Sequence, residues 1–116
     1  MPPTEPRIES QTKPKPVKFA RIYITEDKHA NGGSLYHELF HLLHETHQVR
    51  AVTVFRGVAG FGERGEIHAS DLLRLKADLP LVLEFFDETA KVDAALKAVA
   101  PHLPPGHIVT WMGQCQ

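Results

Sequence analysis

The chain contains 116 residues, of which 42% are hydrophobic and 23% are charged. This composition is typical of a globular protein with one domain and one hydrophobic core. Its 13 Lys and Arg residues against 14 Asp and Glu residues give a formal net charge of -1. The balance argues against general electrostatic binding to nucleic acid or to anionic lipid.

The cysteine content indicates the compartment. Cys115, the single cysteine, lies one residue from the C-terminus, which excludes an intrachain disulfide and favours a reducing environment. No apolar run approaches the roughly 20 residues of a membrane-spanning helix, and the N-terminus lacks the apolar stretch of a signal peptide. We therefore predict a cytoplasmic protein without membrane insertion.

The N-terminal segment, residues 1–18, carries five prolines among polar and charged residues. It has few apolar side chains to bury, so ordering it would cost backbone entropy without compensation. We predict a flexible Pro/Lys-rich tail over residues 1–18, which is either a solubilising extension or a partner-binding segment. The folded domain is predicted to cover residues 19–116.

The first half of the domain predicts a strand, a helix and a strand. Residues 19–25 alternate and are rich in β-branched and aromatic side chains, which is typical of a strand. Ser34 is a predicted N-cap for a helix over residues 35–47. The helical repeat consists of Leu35, Leu39, Leu42 and Thr46. Residues 51–56 form the second predicted strand, and the glycine-rich residues 57–65 begin a long mobile loop.

The second half repeats the order strand, helix, strand. Residues 81–86 form a third predicted strand, and Asp87 or Thr89 is a predicted cap for a helix that ends at residues 101–106. The apolar face of this helix consists of Val92, Ala95, Leu96 and Val99. Residues 107–112 alternate again and form a fourth strand.

The resulting βαββαβ order predicts an α+β, ferredoxin-like fold, an antiparallel sheet with both helices on one face. Strands two and three carry apolar residues on both of their faces: Val52, Val54, Leu81, Val82, Leu83, Phe85 and Phe86. The sheet face away from the helices therefore needs a cover. Because no residues of the chain are left over, another copy of the chain is the economical cover.

The first predicted helix contains a zinc-peptidase pattern. Residues 37–41 fit H-E-x-x-H, in which two histidines one turn apart bind zinc and the glutamate polarises a water. The longer form of this pattern requires a glycine where the chain has His44.

The histidines of this pattern face away from the predicted core. His37, His41 and His44 lie opposite the leucine stripe of the helix, whereas a catalytic zinc requires a dry, shaped cleft. We therefore rank a zinc metallopeptidase that uses Glu38 below two other interpretations. These are a solvated polar face and a surface site for zinc, copper or nickel formed by His37, His41 and His44.

The stretch from Arg56 to Gly65 contains four glycines. Glycine permits positive φ and lets backbone N–H groups approach a ligand, which suits contact with an anion or a nucleotide. A glycine-rich hairpin connection is an equally good explanation of the same residues. The stretch fits neither the P-loop nor the dinucleotide-binding pattern.

In this context the chain resembles the PII signalling superfamily, and most closely the PII-like family known as domain of unknown function 190. The resembling segments are ARIYITEDK at 20–28, SLY at 34–36, VFRGVAGFG at 54–62, IH at 67–68 and DLP at 78–80. The resemblance implies a homotrimer whose sheets pack together inside. It also implies small-molecule sites between subunits, where the loop after strand two changes shape on binding.

Proteins of this superfamily commonly sense adenine nucleotides and regulate transporters, channels or enzymes. The resemblance therefore implies a regulatory protein that binds a ligand and does not catalyse. The predicted ligand-binding residues are Arg21, Lys28, Arg56, Gly57, Gly60, Phe61, Gly62, Glu63 and Arg64. A divalent metal at the histidine face remains the alternative.

The region around the last strand departs from nucleotide-binding PII proteins, which carry basic residues there. Residues 104–107 and 111–113 contain no Lys or Arg. A triphosphate at pH 7 requires several cations. We therefore expect AMP, ADP or a smaller anion as the ligand in preference to ATP.

Overall fold

In the computed structural model of the chain, the residues described are 13–26, 29–30, 33–61, 67–69 and 79–116. The strands, in chain order, are β1 (Lys15–Thr25), β2 (His29–Ala30), β3 (Gly33–Ser34), β4 (Val52–Arg56), β5 (Ala59–Phe61), β6 (Ile67–Ala69), β7 (Pro80–Asp87) and β8 (Ile108–Cys115). The four long strands form one antiparallel sheet in the order β4-β7-β1-β8. β2 pairs with β3, and β5 pairs with β6, as two short antiparallel ribbons.

Two helices pack on one face of the large sheet. Helix α1 (Leu35–His41) continues into a π-helical turn (Leu42–Thr46), and helix α2 (Thr89–Val99) continues into a 3₁₀ turn (Ala100–His102). Their buried residues join those of the sheet in a single hydrophobic cluster. The predicted α+β, ferredoxin-like architecture is therefore confirmed. No helix in the described ranges is long and apolar enough to span a membrane.

Strand register assigns each side chain of the sheet to a face. Ile22 of β1 lies beside Leu83 of β7, and Leu83 lies beside Val54 of β4. Ile22 and Leu83 are fully buried, and Val54 packs against the same cluster. This is the helix-covered face. Because side chains alternate along a strand, the residues between these positions lie on the opposite face.

The opposite face, called here the open face, is rich in aromatic and apolar side chains. Its residues are Phe19, Arg21, Tyr23, Phe55, Val82, Glu84, Phe86, Val109 and Trp111. The side chains of Tyr23, Phe55, Val109 and Trp111 are 40%, 47%, 46% and 39% exposed. The prediction that apolar residues occupy both faces of the sheet agrees with this arrangement.

The aromatic rings of the open face stack across neighbouring strands. Phe19 lies between Phe86, with ring centroids 5.1 Å apart, and Trp111, with centroids 5.2 Å apart and planes tilted by 5°. The guanidinium of Arg21 lies 5.5 Å from the centre of the Trp111 ring and its Nε contacts Glu84 at 2.5 Å. The Glu84 carboxylate raises the pKa of Arg21 above its usual value.

Two strand limits differ from their sequence-based prediction by three residues or more. The first strand begins at Lys15, and the last extends to Cys115. The two ends pair with each other, since Lys15 lies opposite Cys115 and Val17 opposite Gly113. Val17 is 2% exposed. Residues 15–18, which were assigned to the tail, therefore belong to the sheet, because pairing with β8 satisfies backbone groups that a proline-rich segment alone would leave to water.

The first helix is also less regular than predicted. Its last turn is π-helical, with the His47 N–H donating to the carbonyl oxygen of Leu42 at 3.0 Å. Leu43 is fully buried, whereas Leu42 is partly buried. Leu42 still packs against the core, as predicted, but Leu43 takes the fully buried position. Thr46, the last residue of the predicted repeat, is exposed, because the wider turn changes the phase of the helix.

Candidate functional site

The loop after β4 begins against Pro80, the first residue of β7. The Gly57 N–H donates to the Pro80 carbonyl oxygen at 2.8 Å. A Cβ on Gly57 would lie 3.2 Å from the Pro80 ring, and a Cβ on Gly60 would lie 2.9 Å from it. A side chain at Gly60 would therefore force the proline ring to shift, whereas at Gly57 a Cβ would make only a tight contact.

The described part of the chain has positive φ at Gln48, 49°, and at Gly106, 90°. Gly57 and Gly60 have ordinary φ. Neither of these glycines therefore uses the left-handed conformation that glycine permits.

The glycine-rich loop starts as the ribbon of β5 and β6, in which Gly60 lies opposite His68. Phe61, at the end of β5, is 77% exposed, and Val58 is 78% exposed. The predicted ligand residues Gly62, Glu63, Arg64 and Lys28 lie outside the described residues. Part of the predicted loop thus has hairpin structure, with two large apolar side chains in contact with solvent.

Arg56, the last residue of β4, forms a two-point ion pair with Glu26, which follows β1. Arg56 Nη2 donates to Glu26 Oε1 at 3.0 Å, and Arg56 Nε lies 2.9 Å from Glu26 Oε2. The Leu79 N–H also donates to Glu26 Oε1, at 3.4 Å, and the Glu26 N–H donates to the Leu79 carbonyl oxygen at 3.0 Å. One carboxylate therefore joins the ends of β1 and β4 and the residue before β7.

This ion pair borders an open cleft of about 510 Å³ at the edge of the sheet. The cleft is lined by Glu26, Ser34, Tyr36, His37, Val54, Arg56 and Leu81. Val54 and Leu81 supply an apolar floor from the sheet, whereas Tyr36 and His37 come from the first turn of α1, with ring centroids 4.8 Å apart. The cleft thus combines apolar and ring surface with a guanidinium that is 61% exposed. Such a combination can hold a flat, polar organic molecule with an anionic group.

The structure does not bring all predicted ligand residues together. Arg56 and Leu81 are register partners on the helix-covered side, whereas Arg21 and Glu84 are register partners on the open face. Arg21 is engaged by Glu84 and by the Trp111 ring. Within one chain, therefore, Arg21 cannot serve the same ligand as Arg56.

The histidines of the H-E-x-x-H segment lie on the solvent side of α1, as expected. His37, His41 and His44 are exposed. His44 contacts the carboxylate of Glu45, and its ring lies near that of Phe40. Among the described residues there is no group of three or more His, Cys, Asp or Glu side chains close enough to hold a metal ion.

Sequence reasoning missed most of the cleft. Glu26, Ser34 and Tyr36 were not among the predicted ligand residues, and His37 was assigned to a metal site. The available signal was the resemblance itself, since residues 20–28 and 34–36 carry two of its segments. Neither segment has a glycine pattern or a cluster of charges that identifies a site by itself.

Comparison with known sequences shows the family of the chain. The family model DUF190, described as Uncharacterized ACR, matches residues 17–114, and the chain belongs to this family. A UPF0166 protein of Aquifex aeolicus (strain VF5) is 34% identical over 82 residues, which cover 71% of this chain and 77% of that protein. A UPF0166 protein of Methanocaldococcus jannaschii is 28% identical over 80 residues, which cover 69% of this chain and 72% of that protein.

Solved structures show the same fold. CPII, a nitrogen regulatory PII-like protein from Thiomonas intermedia K12 with bound ADP, AMP and bicarbonate, superposes with a TM-score of 0.65 at 17% identity, covering 90% of this chain and 91% of CPII. CPII with bound ADP and bicarbonate superposes with a TM-score of 0.61 at 18% identity, covering the same shares. The predicted resemblance to PII-like proteins and to this family is confirmed.

Proposed function

We propose that this protein is a ligand-sensing regulator of the PII-like type. It binds a small anionic metabolite, with AMP or ADP as the leading candidates, and carries out no chemical step. The cleft beside Arg56 is the binding site, and the loop from Gly57 to about Ser70 transmits ligand occupancy to a protein partner such as a transporter, a channel or an enzyme.

The observation that carries the proposal is the position of Arg56. Its guanidinium lines a cleft together with the Glu26 carboxylate, a serine, a tyrosine, a histidine and two aliphatic side chains. A nucleotide needs this pairing, because the base requires flat or apolar contact and the phosphate requires a fixed guanidinium. The ligands of CPII, a structural neighbour, belong to the same chemical class.

The proposed assembly is a homotrimer in which the open faces of three sheets pack together. Exposed Tyr23, Phe55, Val109 and Trp111 form one apolar surface on that side, and such a surface is costly to leave in water. Assembly would place the cleft, which lies beside edge strand β4, near a neighbouring subunit. Lys28, Gly62, Glu63 and Arg64 are proposed as additional ligand contacts on the basis of the family resemblance.

Exposed Phe61 and Val58 support a signalling role for the loop. Large apolar side chains at this degree of exposure are suited to contact with another protein. They lie within five residues of Arg56, so a ligand that contacts Arg56 would be close to the apolar side chains that a protein partner would contact.

Isothermal titration tests the proposal. The full chain is titrated with AMP, ADP, ATP and bicarbonate, and separately with zinc and nickel salts. We expect AMP or ADP to bind best, and Arg56→Ala to weaken that binding at least tenfold, while Lys97→Ala, an exposed cation on α2, leaves it unchanged. If metals bind at a defined stoichiometry and none of the metabolites binds, the histidine-face alternative replaces the proposal.

A further inference from the structure

Glu26 places a negative charge inside a cleft that is proposed to receive an anion. Its carboxylate is 28% exposed and occupies the edge of Arg56 formed by Nε and Nη2. This edge is the one that a phosphate or carboxylate ligand uses for two-point binding. A ligand must therefore either displace Glu26 from Arg56 or share the guanidinium with it.

Displacement is feasible because the pair is partly exposed. Exposed ion pairs contribute little to stability, and their side chains exchange partners readily. The displaced carboxylate would stay close to the cleft, since the Glu26 backbone N–H is held by the Leu79 carbonyl oxygen at 3.0 Å. Glu26 then repels the bound anion, and the repulsion grows with the number of negative charges on the ligand.

We propose that Glu26 is the charge-selecting residue of the cleft: it favours ligands with one phosphate over ligands with three. The inference rests on the proposed function, because it assumes that anions bind at Arg56. It assigns the selectivity to a carboxylate within the cleft.

The test compares Glu26→Gln with the parent. Glutamine keeps an oxygen for the Leu79 N–H and for Arg56 but removes the charge. AMP, ADP and ATP are titrated at low ionic strength without Mg²⁺, and the ratio of the ATP and AMP dissociation constants is the readout. We expect the variant to bind ATP more tightly and to lower this ratio about tenfold, since like-charge repulsion scales with ligand charge.

Glu88→Gln, which removes the same charge from an exposed position before α2, is the matched control and leaves the ratio unchanged.

Two failures are distinguishable. If neither the parent nor Glu26→Gln binds any of the three nucleotides, the proposed function fails and the inference fails with it. If the parent binds them but Glu26→Gln keeps the ATP-to-AMP ratio or weakens all three ligands together, only the inference is overturned, and Glu26 is then a residue that positions Arg56.

Discussion

Gly106 turns the chain into β8 with a backbone φ of 90°. The turn delivers His107 to Tyr23, where the Tyr23 N–H donates to the His107 carbonyl oxygen at 2.9 Å and His107 Nδ1 lies 2.8 Å from the Tyr23 carbonyl oxygen. A side chain at this φ is strained. The residue is therefore fixed by the geometry of the turn.

Gly106→Ala should lower the free energy of unfolding by about 1 kcal/mol, because alanine adds a Cβ in the left-handed region. Gly106→Asn should cost less, since asparagine tolerates that region better. Urea denaturation of the two variants and the parent measures the order. Equal stability of all three proteins would show that the turn changes its conformation without cost.

Asp87 is the buried charged residue of the described core, at 5% exposure. Its carboxylate accepts the N–H of Arg50, which precedes β4, and the N–H of Glu88, which precedes α2, each at 2.8 Å. One side chain therefore ties the end of β7 to two other elements. A lost carboxylate would leave two backbone donors without their acceptor.

Asp87→Ala should destabilise the fold by about 2 kcal/mol, the usual scale for hydrogen bonds to a charged group. The control is Asp93→Ala, whose exposed carboxylate pairs with Lys18 and whose loss should cost less than about 1 kcal/mol. Chemical denaturation compares the two. A result in which the two substitutions cost the same would mean that Asp87 contributes no more than a surface ion pair.

At the scale of the elements, the sequence predicted the type and order of the six main helices and strands. Alternation in β1 and β8 and the helical repeat of α2 come from local side-chain patterns, which is why they were predictable. The start of β1 was not predictable, because Lys15 and Pro16 join the sheet by pairing with the distant residues Cys115 and Gln114. Pairing between the two ends of a chain has no local signal.

The π-helical turn could not be predicted for a related reason. A sequence periodicity assumes a constant angle per residue, and the wider turn at residues 42–46 breaks that assumption. Gln48, two residues after the turn, has a φ of 49°, and the Val49 N–H donates to the Leu43 carbonyl oxygen at 3.1 Å. The path of the chain after α1 is therefore set by the packing of Leu43 and Val49 in the core, which local periodicity does not encode.

The candidate site was predictable only in part. Arg56 follows a strand and precedes glycines, a local pattern that indicates a ligand loop. Glu26 and Tyr36 join Arg56 through the order of strands in the sheet and the placement of α1. Strand register also decides that Arg21 lies on the open face, away from Arg56, because it pairs with Glu84 of β7.

For the whole molecule, the open face contains a charge pair as well as aromatic rings. Arg21 and Glu84 face each other across β1 and β7, and the Arg21 guanidinium lies over the Trp111 ring. Covering an unpaired charge would be costly, but a paired charge with additional contacts can be removed from water at much lower cost. The pair thus makes the face compatible with burial against copies of itself.

Phe55→Glu should prevent assembly, because it places an unpaired carboxylate on the open face. Light scattering should give about three chains per particle for the parent and one for the variant, with far-UV circular dichroism unchanged. Ala94→Glu, which adds the same charge to the exposed side of α2, should keep the mass of the parent. A monomeric parent, or a Phe55→Glu variant with the parent's mass, would contradict the assembly proposed for the sheet.

Trp111 would give the proposed assembly an optical signal of its own. The chain has one tryptophan, and its ring lies on the open face, stacked on Phe19 and 39% exposed. An indole that leaves water emits at shorter wavelength, so dilution below the dissociation concentration should move the emission of the parent to the red. The same red emission, independent of concentration, is expected of Phe55→Glu, and the protein would therefore report its own subunit equilibrium without a label.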